Sequence, residues 1–314
     1  MFSVTTGRWH WLFLVAAGSA LLAGCGHESA APAKQLFTAS FQSLNNPVFV
    51  EINNGLEATV VARGARLVTR DAQFSHQKQM EDIGALLQQQ PTAIFVNPVN
   101  WEGIKDSLIA AKRKQVPVII VDAPVSDPDL ALCQVASDNV EAGRLACEAL
   151  AQVKPAAKIV ILHLSTNRAC IDRVAGFKTE MARHSGMKIL DIQEGRGSVE
   201  GARPVMAELL KRFAELDAAF PINDPSALGA VAAIGDAGRD GQIAVVTVDG
   251  SREGIAAVQA GRLLATVAQF PREIGRLAAE KAFAHLEGKP VEKNIKVPVK
   301  LVTRENAAEF REKP

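Results

Sequence analysis

Polar side chains that can form several hydrogen bonds recur directly after the apolar runs of this 314-residue chain. They are asparagine, aspartate, arginine and glutamine residues, and the principal ones are Asn46, Asp122, Arg173, Asn223, Asp249 and Gln269. A carboxylate accepts hydrogen bonds from adjacent hydroxyls, an amide donates and accepts at once, and a guanidinium donates along a planar fork. The set contains no nucleophile beside a general base. Its chemistry therefore suits the binding of a neutral, polyhydroxylated small molecule.

Each of these polar residues also has a purely structural explanation. Asparagine and aspartate at strand ends commonly form turns or cap the following helix, and for one residue taken alone that role is the more frequent. Asp138 and Asp224 are assigned to helix caps or a hinge on this basis. The argument for a binding site depends on the whole set, because polar groups follow seven strand ends.

From Leu36 onward, short apolar runs alternate with segments of helix length. Two of the runs, Val116–Val121 and Ile243–Val248, are almost entirely apolar, as is typical of strands that helices cover on both faces. Alternating strands and helices predict right-handed βαβ units and a doubly wound parallel sheet. The predicted strands are Leu36–Phe41, Arg66–Thr69, Ala93–Val96, Val116–Val121, Gln134–Ala136, Lys158–Leu164, Lys188–Ile192, Ala218–Ile222, Ile243–Val248, Leu264–Ala268 and Lys296–Val302.

The length of the chain suggests about two domains, and two sheets of about five strands fit it better than one large sheet. The predicted fold class is therefore α/β, with two similar doubly wound parallel-sheet lobes. Asn46-Pro47 and Asp224-Pro225 each place a capping residue before a proline, which predicts a helix start at both positions. Ligands of such sheets bind beyond the carboxyl ends of the strands, where the polar residues are expected.

The N-terminal segment predicts export and a lipid anchor. Positive charge precedes an uncharged apolar run, Trp11–Ala23, which is too short to span a bilayer comfortably. The run ends in Leu22-Ala23-Gly24-Cys25, which resembles a bacterial lipobox, whose cysteine is acylated after cleavage on its N-terminal side. We expect a signal peptide at 1–24, lipidation of Cys25 and a flexible tether at 25–35. The alternative is an ordinary signal peptide with a chance cysteine.

The composition argues against several classes of protein. The net charge is +1 with acidic and basic residues interspersed, so we expect no nucleic-acid partner. Cys133, Cys147, Cys170 and the scattered histidines lack metal-ligand spacing, so we expect no metal and no cofactor. An odd number of thiols leaves at least one unpaired. Serine-hydrolase, phosphate-loop, zinc-protease and dinucleotide motifs are all missing, which predicts a protein that is not an enzyme.

Several segments together resemble one known family. They are Ser43–Phe49, Ala136–Asn139, Asn223–Ala230, Val248–Gly250 and Ala265–Gln269. Through them the chain resembles the ribose-binding branch of the type I periplasmic sugar-binding proteins, which share a fold with the ligand domain of LacI-type repressors. The resemblance covers essentially all of Leu36–Asn306. It implies a three-stranded hinge between a first lobe, 36–137 plus 270–296, and a second lobe, 138–269 plus 297–314.

The resemblance also implies a function and partners. It implies a lipoprotein outside the cytoplasm that captures a monosaccharide or related polyhydroxylated ligand and delivers it to the permease of an ABC importer. The alternative is a binding protein that signals to a sensor kinase or chemoreceptor. We expect a monomer at the periplasmic or outer face of the cell membrane, held there by the lipid on Cys25 alone.

The family's ligand-binding residues match this chain position by position. They comprise a first-loop amide and a stacking ring, a carboxylate after the fourth strand, a second-lobe guanidinium, and three further polar contacts. In this sequence they are Asn46, Phe49, Asp122, Arg173, Asn223, Asp249 and Gln269.

The chain also departs from the ribose-binding pattern. Val48 and Ala123 stand where that branch often has an aromatic ring and an arginine, and Gly195–Ser198 stands where the second lobe offers a ring. Because ring stacking contributes to selectivity, these departures leave the identity of the sugar open. Trp101 and Arg168 lie on strand-end loops and are candidates to compensate; they are equally well explained as a packing residue and a surface residue.

Overall fold

The structure, a computed structural model, describes residues 1–5, 7 and 34–310. The predicted lipidation site Cys25, most of the predicted signal peptide and tether, and residues 311–314 lie outside the described residues. Met1–Ala33 and Lys34–Pro314 are two separate units, and both sheets of the fold belong to the second. Within the described ranges, no helix combines the length and the apolar character that a membrane span requires.

Among residues 34–310, twelve strands form two sheets of six. The first sheet is entirely parallel, with the spatial order β2 (Arg66–Asp71), β1 (Leu36–Phe41), β3 (Ala93–Val96), β4 (Val118–Val121), β5 (Cys133–Ser137) and β11 (Asn294–Val297). The second sheet is parallel except for its last strand, with the order β7 (Lys188–Glu194), β6 (Lys158–His163), β8 (Ala218–Pro221), β9 (Ala244–Asp249), β10 (Ala265–Ala268) and β12 (Lys300–Val302).

Helices cover both faces of each sheet. Successive side chains of a strand point to opposite faces, and in β3 Phe95 packs into one core whereas Ile94 and Val96 pack into another. The second sheet likewise separates two cores. The helices are α1 (Pro47–Ala62), α2 (His76–Gln88), α3 (Lys105–Arg113), α4 (Asn139–Val153), α5 (Arg168–Met181), α6 (Val199–Arg212), α7 (Asp224–Asp236), α8 (Arg252–Gln259) and α9 (Pro271–Leu286).

The chain passes between the two sheets three times. It leaves the first sheet after β5, returns after β10, and passes again between β11 and β12. Residues that end or follow β1 and β4 in one sheet, and β6, β8 and β9 in the other, line a shared cleft. The predicted α/β fold with two doubly wound, parallel-sheet lobes and a three-stranded hinge is confirmed.

Two details of the sequence-based prediction are wrong. The predicted strand Lys296–Val302 is two strands in different sheets, interrupted at Pro298, whose nitrogen carries no hydrogen for a ladder. The residue that caps α7 is Asn223, and Asp224 is the first residue of the helix. By contrast, Asp138 caps α4 as predicted, since its side chain accepts a hydrogen bond from the backbone nitrogen of Glu141.

Candidate ligand-binding site

One pocket lies between the two sheets, and it holds about 410 Å³ of space outside the protein atoms, open solvent at its mouth included. All seven predicted ligand-binding residues line it: Asn46, Phe49, Asp122, Arg173, Asn223, Asp249 and Gln269. Their convergence on one pocket is a finding of the structure, whereas their contact with a ligand stays a prediction. Eight further residues also line the pocket and were not among the predicted ligand-binding residues: Gln42, Val48, Phe74, Leu164, Asn167, Ala169, Cys170 and Gly197.

Two of the predicted residues belong to the start of α1. Asn46 caps the helix, because its Oδ1 accepts a hydrogen bond of 2.9 Å from the backbone nitrogen of Val48, and Pro47 follows it at the first helical position. Phe49 is 7% exposed and packs into the core of the first sheet while lining the pocket. The structural and the binding interpretations of Asn46 are therefore compatible, since the cap holds the residue at the pocket.

Asp122 follows β4 with a left-handed φ of +68°. Nδ2 of Asn97 donates a hydrogen bond of 3.0 Å to its Oδ2, and Oδ1 of the same Asn97 accepts one of 3.2 Å from the backbone nitrogen of Gln42. Burial raises the pKa of Asp122 to about 6, although the charge of Arg173 and the Asn97 hydrogen bond act in the opposite direction. Asn97 directly follows β3, so the strand-end rule could have identified it.

A close crossing of two helices positions Arg173. Gly143 of α4 lies so near α5 that a Cβ there would be 1.9 Å from the carbonyl oxygen of Arg173, and a Cβ on Gly176 would be 1.9 Å from that of Val140. Only glycine permits this approach. It lets Nε of Arg173 donate a hydrogen bond of 2.9 Å to Oδ1 of Asn139, the first residue of α4.

Asp249, at the end of β9, accepts hydrogen bonds from residues that follow β8 and β10. Its Oδ1 accepts a hydrogen bond of 2.8 Å from Nε2 of Gln269, and its Oδ2 accepts one of 3.3 Å from the backbone nitrogen of Asp224. Nη1 of Arg173 lies 3.5 Å from Oδ1. Burial raises the pKa of Asp249 to about 8, with Asp224 and Asp122 adding to the rise and Arg173 opposing it.

Asp224 is a buried carboxylate beneath the pocket, which corrects its assignment as a cap. It accepts hydrogen bonds of 2.7 Å from the backbone nitrogen and the Oγ of Ser251 and from Oγ1 of Thr266. Burial raises its pKa to about 6, partly offset by these hydrogen bonds. Asn223, the true cap, accepts a hydrogen bond from the backbone nitrogen of Ser226 and donates one of 2.9 Å to the carbonyl of Gly197.

Trp101 and Arg168 do not line the pocket but contact each other beside it. Cζ of Arg168 lies 5.1 Å from the centroid of the Trp101 ring. The backbone nitrogen of Trp101 also donates a hydrogen bond of 3.2 Å to the carbonyl of Thr166. These contacts join the loop after β3, in the first sheet, to Thr166 in the loop after β6, in the second, and to Arg168, which is the first residue of α5 and not part of a loop as predicted. The structure therefore shows the lobes in contact across the cleft.

The pocket's described side chains provide hydrogen bonds and apolar contacts. The thiol of Cys170 also lines the pocket, but burial raises its pKa to about 12, so it stays protonated at neutral pH. All three cysteines of the described residues are free and buried. The arrangement can therefore surround a small polar molecule with amides, carboxylates and one guanidinium.

Comparison with known proteins places the fold in a family. The model of the periplasmic binding protein domain matches residues 37–290. The ribose import binding protein of Bacillus subtilis (strain 168) is 34% identical over 267 residues, covering 84% of this chain and 86% of that protein.

Solved structures agree with this assignment. The binding component of the arabinose ABC transporter of Shewanella sp. ANA-3, bound to L-arabinofuranose, has a TM-score of 0.83 and 31% identity, covering 88% of this chain and 94% of that chain. A solute-binding protein of Agrobacterium vitis bound to α-D-tagatopyranose has a TM-score of 0.84 and 25% identity, covering 88% of this chain and 99% of that chain. The chain therefore belongs to the periplasmic binding protein family.

Proposed function

We propose that the protein captures a monosaccharide or a related polyhydroxylated molecule outside the cytoplasm and delivers it to an ABC importer, without catalysing a reaction. One observation carries the proposal: hydrogen-bonding groups from both lobes line a single pocket, and they include Asp122 from the first sheet and Arg173 and Asp249 from the second. The relatives named above are an import binding protein and a transporter component, which favours import over signalling to a sensor.

The charges around the pocket favour a neutral ligand. Among the described residues that line it, two are carboxylates, Asp122 and Asp249, and one is a guanidinium, Arg173. The buried carboxylate of Asp224 lies beside Asp249. An anionic ligand such as a sugar acid would add negative charge to a buried site that already holds more carboxylates than cations, at a large cost in free energy. Hydroxyl groups instead supply the donors that carboxylate oxygens require.

Ligand binding is proposed to hold the lobes together. We take the lobes to be 36–137 with 270–296 and 138–269 with 297–314, as the sequence predicts. A ligand that contacts both lobes binds the closed form more tightly than the open form, and this difference in affinity drives closure. The closed form then presents the surface that the importer's permease recognises.

A calorimetric screen tests the proposal. The purified protein is titrated with D-ribose, L-arabinose, D-allose, D-tagatose and myo-inositol, and with gluconate and ribose 5-phosphate as anionic counterparts. We expect at least one neutral compound to bind and the anions to bind weakly or not at all. A ligand at one hundred times its Kd should add about 2.7 kcal/mol to the free energy of unfolding. Tight binding of an anion, or no binding of any neutral compound, would contradict the proposal.

We also infer how the protein is held in place. The likeness of Leu22–Cys25 to a lipobox supports acylation of Cys25 and attachment to the periplasmic or outer face of the cell membrane. The protein is proposed to act as a monomer.

A further inference from the structure

We propose that Gln42 and Phe74 form an additional subsite of the pocket, in which the ring of Phe74 covers a C–H face of a cyclic ligand and Nε2 of Gln42 donates a hydrogen bond to a ligand oxygen. The inference rests on the proposed function and deepens it. Neither residue is among the seven predicted contacts, yet both line the pocket from the first lobe. The subsite would select cyclic sugars and cyclitols over open-chain polyols.

The first observation is an unsatisfied donor. The side chain of Gln42 is 2% exposed, and its Nε2 has no hydrogen-bond partner. A buried polar group without a partner costs folding free energy, so such groups call for an explanation. Because Gln42 lines the pocket, a ligand oxygen can supply the missing acceptor.

The second observation is a strained backbone. Phe74 has a φ of +58° and follows Gln73 at +53°, and this left-handed region is unfavourable for residues with large side chains. Phe74 is 47% exposed, so burial in a core does not compensate for this strain. Backbone strain that core packing does not offset is often found at functional sites. An asparagine or glycine would adopt the same backbone more easily.

A hydrogen-bond network fixes the subsite relative to Asp122. The backbone nitrogen of Phe74 donates to the carbonyl of Gln42, whose own backbone nitrogen donates to Asn97. Asn97 in turn donates to Asp122. The network therefore fixes the main chains of Gln42 and Phe74 relative to the carboxylate of Asp122 on one side of the pocket.

This arrangement specifies the ligand class. A ligand oxygen that accepts a hydrogen bond from Nε2 of Gln42 must lie near a ligand hydroxyl that donates a hydrogen bond to Asp122. The rings of Phe74 and Phe49 provide apolar surface for a C–H face. A cyclic sugar or a cyclitol holds such a face rigidly, whereas an open-chain polyol must lose conformational entropy to present one.

Two variants separate binding from folding. Phe74→Asn removes the ring and suits the left-handed backbone, and Gln42→Met removes the unpaired donor at similar volume. Both should melt at or above the wild-type temperature. Each should nevertheless weaken binding of the cyclic probes D-ribose, D-allose and myo-inositol by about tenfold or more, on the scale of one lost aromatic or hydrogen-bond contact. Binding of ribitol and xylitol should change less in Phe74→Asn.

The chain offers a matched control for each variant. Gln90 also has a left-handed φ, of +51°, but lies outside the pocket, so Gln90→Asn relieves similar strain without touching the ligand. Thr38 has a buried Oγ1 without a partner and also lies outside the pocket, so Thr38→Val removes an unsatisfied polar atom elsewhere. Both control variants should bind the probes as the wild type does.

The outcomes distinguish the two proposals. If the wild type binds a cyclic probe and Phe74→Asn and Gln42→Met bind it equally well, the subsite is wrong and the proposed function stands. If either variant melts well below the wild type, that residue is structural and the subsite is wrong. If the wild type binds none of the neutral compounds of the calorimetric screen, the proposed function fails, and the subsite fails with it.

Discussion

Nη1 of Arg173 lies 3.5 Å from Oδ1 of Asp249, and both side chains are buried. This separation is at the outer limit of a hydrogen bond, whereas the same nitrogen donates to the carbonyl of Ile222 at 2.8 Å. The guanidinium is therefore anchored mainly by backbone and amide oxygens. The carboxylate of Asp249 keeps capacity to accept a hydrogen bond from a ligand hydroxyl.

Replacement of Asp249 should remove that acceptor. We expect Asp249→Ala to weaken binding of the best ligand from the screen by roughly 2–4 kcal/mol, because ligand hydroxyls and Arg173 would lose a buried hydrogen-bond partner. Isothermal titration calorimetry measures the loss. Asp236→Ala is the control: it removes one partner of an exposed ion pair with Arg203 outside the pocket, and should leave affinity unchanged. Normal binding by Asp249→Ala would refute its role.

Replacement of Asp224 should instead affect folding. Asp224→Ala leaves the donors of Ser251 and Thr266 without their acceptor in a buried site. We expect the free energy of unfolding to fall by roughly 2–4 kcal/mol, as measured by urea denaturation. Glu141→Ala, at a partly exposed salt bridge with Arg144, should change it by less than about 1 kcal/mol. An unchanged stability in Asp224→Ala would contradict the buried network.

The stability of the ligand-free protein should depend on the protonation of Asp249. Its folded-state pKa of about 8 exceeds its ordinary value of 3.8, so between these limits the folded state binds more protons than the unfolded state. The contribution of this group is therefore fully present below about pH 4 and is lost as the pH rises to about 8. The unfolding free energy of the wild type minus that of Asp249→Asn should become smaller, and then more negative, across that interval, because only the wild type loses stability as the pH rises. Urea denaturation from pH 4 to pH 8 measures it, and an increase would refute the prediction.

The contact between Trp101 and Arg168 should slow ligand release. Arg168→Ala removes a cation–π contact of about 0.5–1 kcal/mol that joins the two lobes, so dissociation should become roughly two- to fivefold faster. Stopped-flow measurement of ligand dissociation reports the rate. In the control Arg212→Ala, a similar contact with Phe213 is lost within one lobe, and the rate should stay the same. Equal rates in Arg168→Ala and the wild type would exclude a role in closure.

The proposed lipid anchor can be tested by fractionation of cells. Cys25→Ala should move the protein from the membrane fraction to the soluble fraction, because acyl chains on Cys25 would supply the hydrophobic attachment. Cys133→Ala, which alters a buried free thiol, should leave the protein with the membrane. Retention of Cys25→Ala in the membrane fraction would count against lipidation.

The strand ends were predictable because burial on both faces makes strands uniformly apolar. Val121 and Val248 end such runs, so Asp122 and Asp249 could be placed at the cleft from the sequence alone. Asp224 could not be assigned in the same way. Asn223 and Asp224 are both good caps, and a shift of one residue in the start of α7 decides which caps the helix and which is buried.

The subsite residues could not be recognised from the sequence for a different reason. Phe74 lies beyond β2, and no residue type in its neighbourhood indicates a left-handed backbone. The unpaired Nε2 of Gln42 is set by the groups that pack around that buried side chain in the folded protein. Such features arise from tertiary packing and are absent from the local pattern.

The close crossing of α4 and α5 at Gly143 and Gly176 has a consequence for redesigning the specificity of this protein. It sets the place of Arg173 through the main chains of α4 and α5, independently of any side chain that faces the ligand. Substitutions on the opposite wall of the pocket, at Gln42 or Phe74, can therefore be explored without moving the guanidinium. Even alanine at either glycine would instead force the two helices apart and displace the cation. A methyl group far from the ligand would then abolish binding, whereas a substitution within the pocket would change only its specificity.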